Sequence, residues 1–173
     1  LTGLANRRRL DAFMQAEHAR MLRYPAALSV IMADIDHFKR VNDRYGHAVG
    51  DRVLQHFAGL LRTAVRAVDL AARLGGEEFI LVLSMTDLRG ALTCAEHLRS
   101  TILSSRLPAL EQDLTSSFGV AQYQPGETAE SLIQRADQAL YAAKAGGRNR
   151  VEHACDSPTA DRNMRTLPVA TGC

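Results

Sequence analysis

Leu10, Phe13, Met14, Ala16 and Met21 recur at helical spacing behind Asn6, a residue type that caps helix N-termini, and predict an amphipathic helix through RRRLDAFMQAEHARMLRY that Pro25 ends. The period then changes. AALSVIMADI, residues 26–35, is apolar and β-branched over the length of a buried strand; it gives out at Asp34, with Asp36 just beyond. A helical pattern returns from about Val49 to Val65, with Val53, Leu54, Phe57, Leu60 and Leu61 on one face, and leads to Asp69. Two strand-like runs follow, DLAARL (69–74) and FILVLS (79–84). Gly75, Gly76, Glu77 and Glu78 between them read as a hairpin tip, because glycine reaches positive φ without steric cost. A helix over 88–104, a strand over 114–122, a helix over 130–145 closed by Gly146 and Gly147, and a short strand over 150–152 complete the series. Beyond His153 the chain is small, polar and aperiodic, so 154–173 reads as a loosely packed, flexible tail.

A hairpin embedded between helical crossovers predicts an α+β fold, a central, mostly antiparallel sheet flanked by helices, rather than a doubly wound parallel sheet. The chain has 173 residues, 46% hydrophobic and 23% charged, which suits one globular domain over 1–153 with its own core. Lys and Arg number 21 against 19 Asp and Glu, a formal charge of +2 that argues against a nucleic-acid polymer as partner. Aromatic residues make up 5% with no Trp, leaving few stacking platforms, so a ligand must be held by polar groups. Cys94, Cys155 and Cys173 form no CxxC pair, the pattern of free thiols in a reducing cytoplasm. No run approaches the ~20 apolar residues of a membrane span, and the first residues lack the apolar core of a signal peptide. The chain opens without an initiator Met, so it is expected to be a domain of a longer protein, with a sensory, regulatory or membrane-tethering segment upstream.

Asp34 lies in D-I-D-H-F-K at a strand end, and Glu77 and Glu78 lie at a hairpin tip. Carboxylates at adjacent strand ends can gather hard oxygen ligands around Mg²⁺ while leaving positions for phosphates; the plainer reading makes Asp34 a turn residue and the Glu pair a solvated edge. The stretch from His37 to Lys39 sits at a strand-to-helix junction, where backbone amides, the helix dipole and a lysine favour a phosphate. Asn42 and Asp51 bracket Gly46, His47 and Gly50, and an amide with a carboxylate can pair along one edge of guanine; alternatively Asn42 caps a turn and Asp51 opens a helix. Taken singly each residue has an ordinary explanation, but the three groupings occur together.

LTGLANRR, DIDHFKRVNDRYGHAVGD, RLGGEEF, SFGVA and ADQALYAAKAGGRNRV, in this order across residues 1 to about 153, resemble the GGDEF domain, the catalytic module of bacterial diguanylate cyclases, in its GGEEF form. The resemblance implies a palm-like fold related to nucleotide cyclases and the condensation of two GTP into cyclic di-GMP with release of two pyrophosphates. It also implies Mg²⁺, or Mn²⁺, held by Asp34, the backbone carbonyl of Ile35 and Glu77. Glu77 then accepts the ribose 3′-hydroxyl proton, Glu78 helps position the metal or that hydroxyl, and Lys39 stabilises the transition state. His37, Phe38 and Lys39 take the phosphates, Asn42, His47 and Asp51 the guanine side, and Lys144 and Arg148 the terminal phosphates. Each domain holds one GTP, so two copies must meet. Arg66 and Asp69, in R-x-x-D at the family's offset from GGEEF, match its product-inhibition site, where Arg and Asp can hold guanine and phosphate of cyclic di-GMP; elsewhere R-x-x-D reads as a surface ion pair. A reading of another class is a catalytically silent module that senses GTP or cyclic di-GMP; the presence of Asp34, Glu77 and Glu78 together weighs against it. His18, His56, His97 and His153 show no ligand spacing.

Overall fold

The run around Val30 lacks any polar alternation, which only a strand covered on both faces can use, and β1 (Leu28–Ile35) is buried at every position. The computed structural model describes residues 1–24 and 26–155; Pro25, expected to end the first helix, and the expected tail from residue 156 onward lie outside the described residues. The elements in chain order are α1 (Arg7–Arg23), β1, α2 (Phe38–Tyr45), α3 (His47–Ala64), β2 (Leu70–Gly75), β3 (Glu78–Ser84), α4 (Leu88–Ser104), β4 (Ser116–Gln122), α5 (Ala129–Ala145) and β5 (Val151–His153). They form one five-stranded sheet in the order β2-β3-β1-β4-β5. β1 is antiparallel to both β3 and β4, β2 is antiparallel to β3, and β5 runs parallel to β4. This is the expected α+β architecture.

Alternate residues of the strands face opposite helix layers. Ile31, Ala33 and Ile35 lie with Phe79, Leu81, Phe118 and Val120 in a core that α2, α3 and α4 close with Phe38, Val41, Leu54, Phe57, Leu98 and Ile102. Phe57 and Phe79 meet at 4.9 Å between ring centroids, a tilted aromatic pair at the centre of this layer. Val30, Met32, Ile80 and Val82 point the other way, onto Leu10 and Met14 of α1 and Leu132, Ala136 and Leu140 of α5. Asp34, two residues beyond Met32, falls on this second face. Among the described residues no helix is long and apolar enough to cross a membrane.

Between β1 and the hairpin the sequence allows one helix or two, and the structure has two. Where a single pattern starts near Val49, two helices are present, separated by Gly46 at φ 83°. α2 is only eight residues long and buries Phe38 and Val41, too few apolar positions for a period to stand out. The other boundaries agree to within two residues. Asn6 caps α1 through its side chain, which accepts from Arg9 N at 3.1 Å. Just before it, Ala5 forms an isolated parallel bridge with Ala72 on the outer side of β2: Ala5 N donates to Ala71 O and Arg73 N donates to Ala5 O.

The depth at which α5 seats is set by Gly119 of β4. A Cβ there would stand 2.1 Å from both Ala136 O and Leu140 N, backbone atoms that cannot swing aside. Gly119→Ala is therefore expected to lower unfolding free energy by about 2 kcal/mol or more, read as a fall in the urea midpoint. A variant within about 0.5 kcal/mol of wild type contradicts this close approach.

Candidate active site

β1 ends by carrying Asp34 into register with Glu78 of β3. Like charges placed opposite one another across strands are destabilising, and Glu77 adjoins Glu78 at the hairpin tip. Asp34 is 5% exposed. Burial, the largest influence, lifts its carboxyl from 3.8 to about 6; Lys144 pulls the other way, and Glu77 and Glu78 push it higher still. The Lys144 ammonium lies 2.8 Å from Asp34 Oδ2. Thus the lysine matched to phosphate binding is engaged with the carboxylate matched to metal binding. The tip itself is stapled by Arg73, whose Nε and Nη2 donate to Gly76 O at 3.0 and 2.6 Å. Gly76 adopts φ 49°, which lets the chain reverse before Glu78. A concavity of about 650 Å³ between α1, α5 and the sheet reaches Glu78, with Asp11, Glu130 and Asp137 also on its wall.

On the opposite flank, His37 takes φ 57° as N-cap of α2 and makes no side-chain cap hydrogen bond. Arg40 N turns back to His37 O at 2.8 Å, and His37 leaves the Phe38 and Lys39 amides without a side-chain cap. Lys39 is exposed beside them, whereas the Phe38 side chain is 6% exposed and belongs to the core. Any contact of Phe38 with a ligand is therefore through its backbone. Asn42 rises from α2 against α3, where Gly50 makes room: a Cβ at residue 50 would lie 1.9 Å from Asn42 Oδ1. His47 and Asp51 are exposed on the first turns of α3.

The third segment follows α5. Gly146 N and Arg148 N donate to Ala142 O and Ala143 O, closing the helix, and Gly147, Arg148 and Asn149 then take φ values of 112°, 62° and 45°. Left-handed backbone at non-glycine residues costs about 1–3 kcal/mol each. Of the non-glycine residues at positive φ among those described, His37, Arg148 and Asn149 all border this end of the sheet, and Met85 does not. Asp36, 6% exposed, spans the gap between segments: Oδ1 accepts from Ser117 Oγ at 2.7 Å and Oδ2 from Asn149 N at 3.0 Å. Sequence reasoning noted Asp36 but gave it no role, and it missed Arg73 and Asn149. A Gly-Gly-Arg-Asn stretch behind a helix is the signal for the last, since Asn tolerates left-handed backbone.

Arg66 and Asp69 lie away from this cluster, at the start of β2, with the strand's six residues between them and the hairpin tip. They form no side-chain ion pair. Asp69 instead braces the turn, its Oδ2 accepting from Arg66 N at 2.9 Å and its Oδ1 from Ser84 N at 3.0 Å. Arg66 is exposed. Cys94, whose thiol burial pushes up, stands near both; among the described residues Cys94 and Cys155 are free thiols.

In metal-free protein the fold keeps the Asp34 proton between pH 3.8 and about 6, where the unfolded chain has lost it. Asp34 therefore makes the fold less stable as pH rises through that window, by about 3 kcal/mol once above it. Asp34→Asn removes this cost. With a chelator present, its urea midpoint is expected to gain on wild type between about pH 4 and about pH 7; a gap that stays constant indicates an ordinary carboxylate.

The model of the family described as diguanylate cyclase, GGDEF domain, matches residues 1–150. Over 154 residues the chain is 43% identical to diguanylate cyclase DgcP of Pseudomonas aeruginosa, covering 88% of this chain and 23% of DgcP. It is 41% identical over 156 residues to response regulator PleD of Caulobacter vibrioides, covering 87% and 34%. The chain thus spans between about a quarter and a third of these curated relatives. Among solved structures, the GGDEF domain of DgcB from Caulobacter crescentus in complex with c-di-GMP superposes with a TM-score of 0.84 at 36% identity, covering 88% of this chain and 90% of that one. The active GGEEF domain of a diguanylate cyclase from Vibrio cholerae gives 0.85 at 37%, covering 89% and 99%. The segments that converge on Asp34, the strand order and the family match coincide over the same stretch, and the chain belongs to the GGDEF diguanylate cyclase domain family.

Proposed function

We propose that this domain condenses GTP into cyclic di-GMP, each copy supplying one nucleotide and half of the catalytic site. The observation that carries the reading is the buried Asp34 carboxylate facing Glu78 across β1 and β3 at the foot of the GGEEF hairpin. Such a cluster suits a divalent cation, which would take the place of Lys144 beside Asp34. Among the described residues no three His, Cys, Asp or Glu side chains converge into a ready-made cage. Asp34, the Ile35 carbonyl and Glu77 are hard oxygen donors that leave the remaining positions to water and phosphate, which is how Mg²⁺ is commonly held. Mn²⁺ accepts the same donors. The bound ion supplies neutralisation of charge on the reacting phosphate and on the departing pyrophosphate.

The chain's own residues do the rest. Lys39 and the first-turn amides of α2 hold phosphate oxygens, and Arg148 reaches the terminal phosphates. Lys144 joins it on leaving Asp34. Asn42 and Asp51 pair along one edge of guanine, with His47 at the rim. Glu77 accepts the proton of the ribose 3′-hydroxyl, whose oxygen bonds to the α-phosphorus of the facing GTP as that phosphorus loses pyrophosphate. Two such transfers close the ring, which requires two domains face to face. Arg66 and Asp69 are proposed to take the product and limit the enzyme. The c-di-GMP complex of the similar DgcB domain supports a product site in this fold, and the complex of the similar cyclase SiaD with its activator SiaC supports control by a partner.

Activity with GTP and Mg²⁺ is expected to rise more than linearly with protein concentration and to be highest when the chain is fused to a dimerising coiled coil. Glu77→Gln in that fusion is expected to cut cyclic di-GMP formation by about 10²-fold or more without changing the melting temperature; product at the wild-type rate refutes the assignment. Gly50→Ala tests the guanine side. It is expected to fold with stability within about 1 kcal/mol of wild type, while displacing Asn42 and raising the KM for GTP about tenfold.

A further inference from the structure

Arg148 is exposed, and among the described residues it makes no ion pair. What fixes its direction is backbone. Residues 147–149 all take positive φ; Gly147 follows that path freely and Asn149 tolerates it, whereas Arg148 keeps it because surrounding groups hold the turn. Two such groups are present. Asp36 Oδ2 accepts from Asn149 N at 3.0 Å, and from the other side Arg99 Nη1 of α4 donates to Asn149 Oδ1 at 2.9 Å. Arg99 is itself fixed, its Nε and Nη2 both donating to Glu96. Asp36 has no freedom either. It is buried, its second oxygen accepts from Ser117 Oγ, and its own amide donates to Thr115 O at 3.0 Å.

Asp36 also adjoins Ile35 on one side and His37 on the other, in the loop that runs into Lys39. One buried carboxylate therefore joins two strand ends to both segments that carry phosphate-binding cations. We infer that Asp36 is the positioning residue that holds the Arg148 turn at a fixed distance from the Lys39 loop, so that both cations meet one triphosphate, with Arg99 bracing the turn from outside. This rests on the phosphate-binding reading of Arg148 given above. Asp36 does not touch substrate in this scheme; it acts through Arg148.

The test compares binding of a non-hydrolysable GTP analogue and of GMP by calorimetry in wild type, Asp36→Asn, Arg148→Met and the double variant. Asp36→Asn keeps the shape but removes the charge and one of the two acceptor oxygens, so Ser117 Oγ and Asn149 N–H can no longer both donate to residue 36. It is expected to weaken the analogue about tenfold and leave GMP unchanged. In the Arg148→Met background the same change is expected to add less than twofold, because its effect passes through the missing guanidinium. Loss of GMP and analogue in equal measure, or full additivity in the double variant, overturns the positioning role. Arg148→Met binding the analogue like wild type overturns instead the phosphate reading beneath it. Arg99→Met, which leaves Asp36 intact, provides a milder perturbation should Asp36→Asn unfold: a severalfold loss confined to the analogue supports the brace, and unchanged binding removes it.

Discussion

A carboxylate held out of water at the end of the central strand is the constraint on which the rest of this molecule turns. Asp34 is charged at a cost that Glu77 and Glu78 increase, and the fold tolerates it because Lys144 reaches across from α5. That reach depends on how closely α5 lies on β4, which Gly119 sets. A glycine in the middle of one strand thus governs the electrostatics at the tip of another. The arrangement stores free energy that a cation of higher charge than an ammonium is able to release, as expected of a site built for a ligand rather than for stability.

The near-neutral composition conceals two opposed local fields. Acidic groups collect on the hairpin side of β1, while Lys39, Lys144 and Arg148 approach from the two segments that flank it. Backbone strain follows the same geography, since His37, Arg148 and Asn149 mark the places where the chain turns to present amides and cations. Paired strands carry Asp34 and Glu78, helices carry Lys39 and Lys144, and a tight turn carries Arg148. Asp34 and Glu78 are therefore fixed by strand register, and Arg148 by hydrogen bonds to its turn.

Much of this was legible from periodicity. The strands around Val30, Ile80 and Val120 and the helices α1, α4 and α5 follow from runs and stripes of apolar residues, and the hairpin follows from Gly75 and Gly76. The five separated motifs identified the family, which periodicity alone does not do. Hidden were features that depend on where a side chain ends rather than on which residue it is. α2 is too short to show a period. Lys144 could be matched to phosphates, but its pairing with Asp34 depends on how closely α5 lies on β4. Asp36 looked equivalent to Asp34 two positions away and does entirely different work, because Asp34 faces Glu78 and Asp36 faces Ser117 and Asn149.

The bridge between Ala5 and Ala72 bears on a different matter. Open sheets present unpaired amides and carbonyls along their outer strands, and such rims invite further strands to attach. Here the segment ahead of α1 covers part of one rim with a single residue, and the other rim is β5, only three residues long. Strand-to-strand stacking is thereby discouraged at both margins. Copies of the domain can be brought to high local concentration, as the proposed reaction demands, with little template for fibrous self-association.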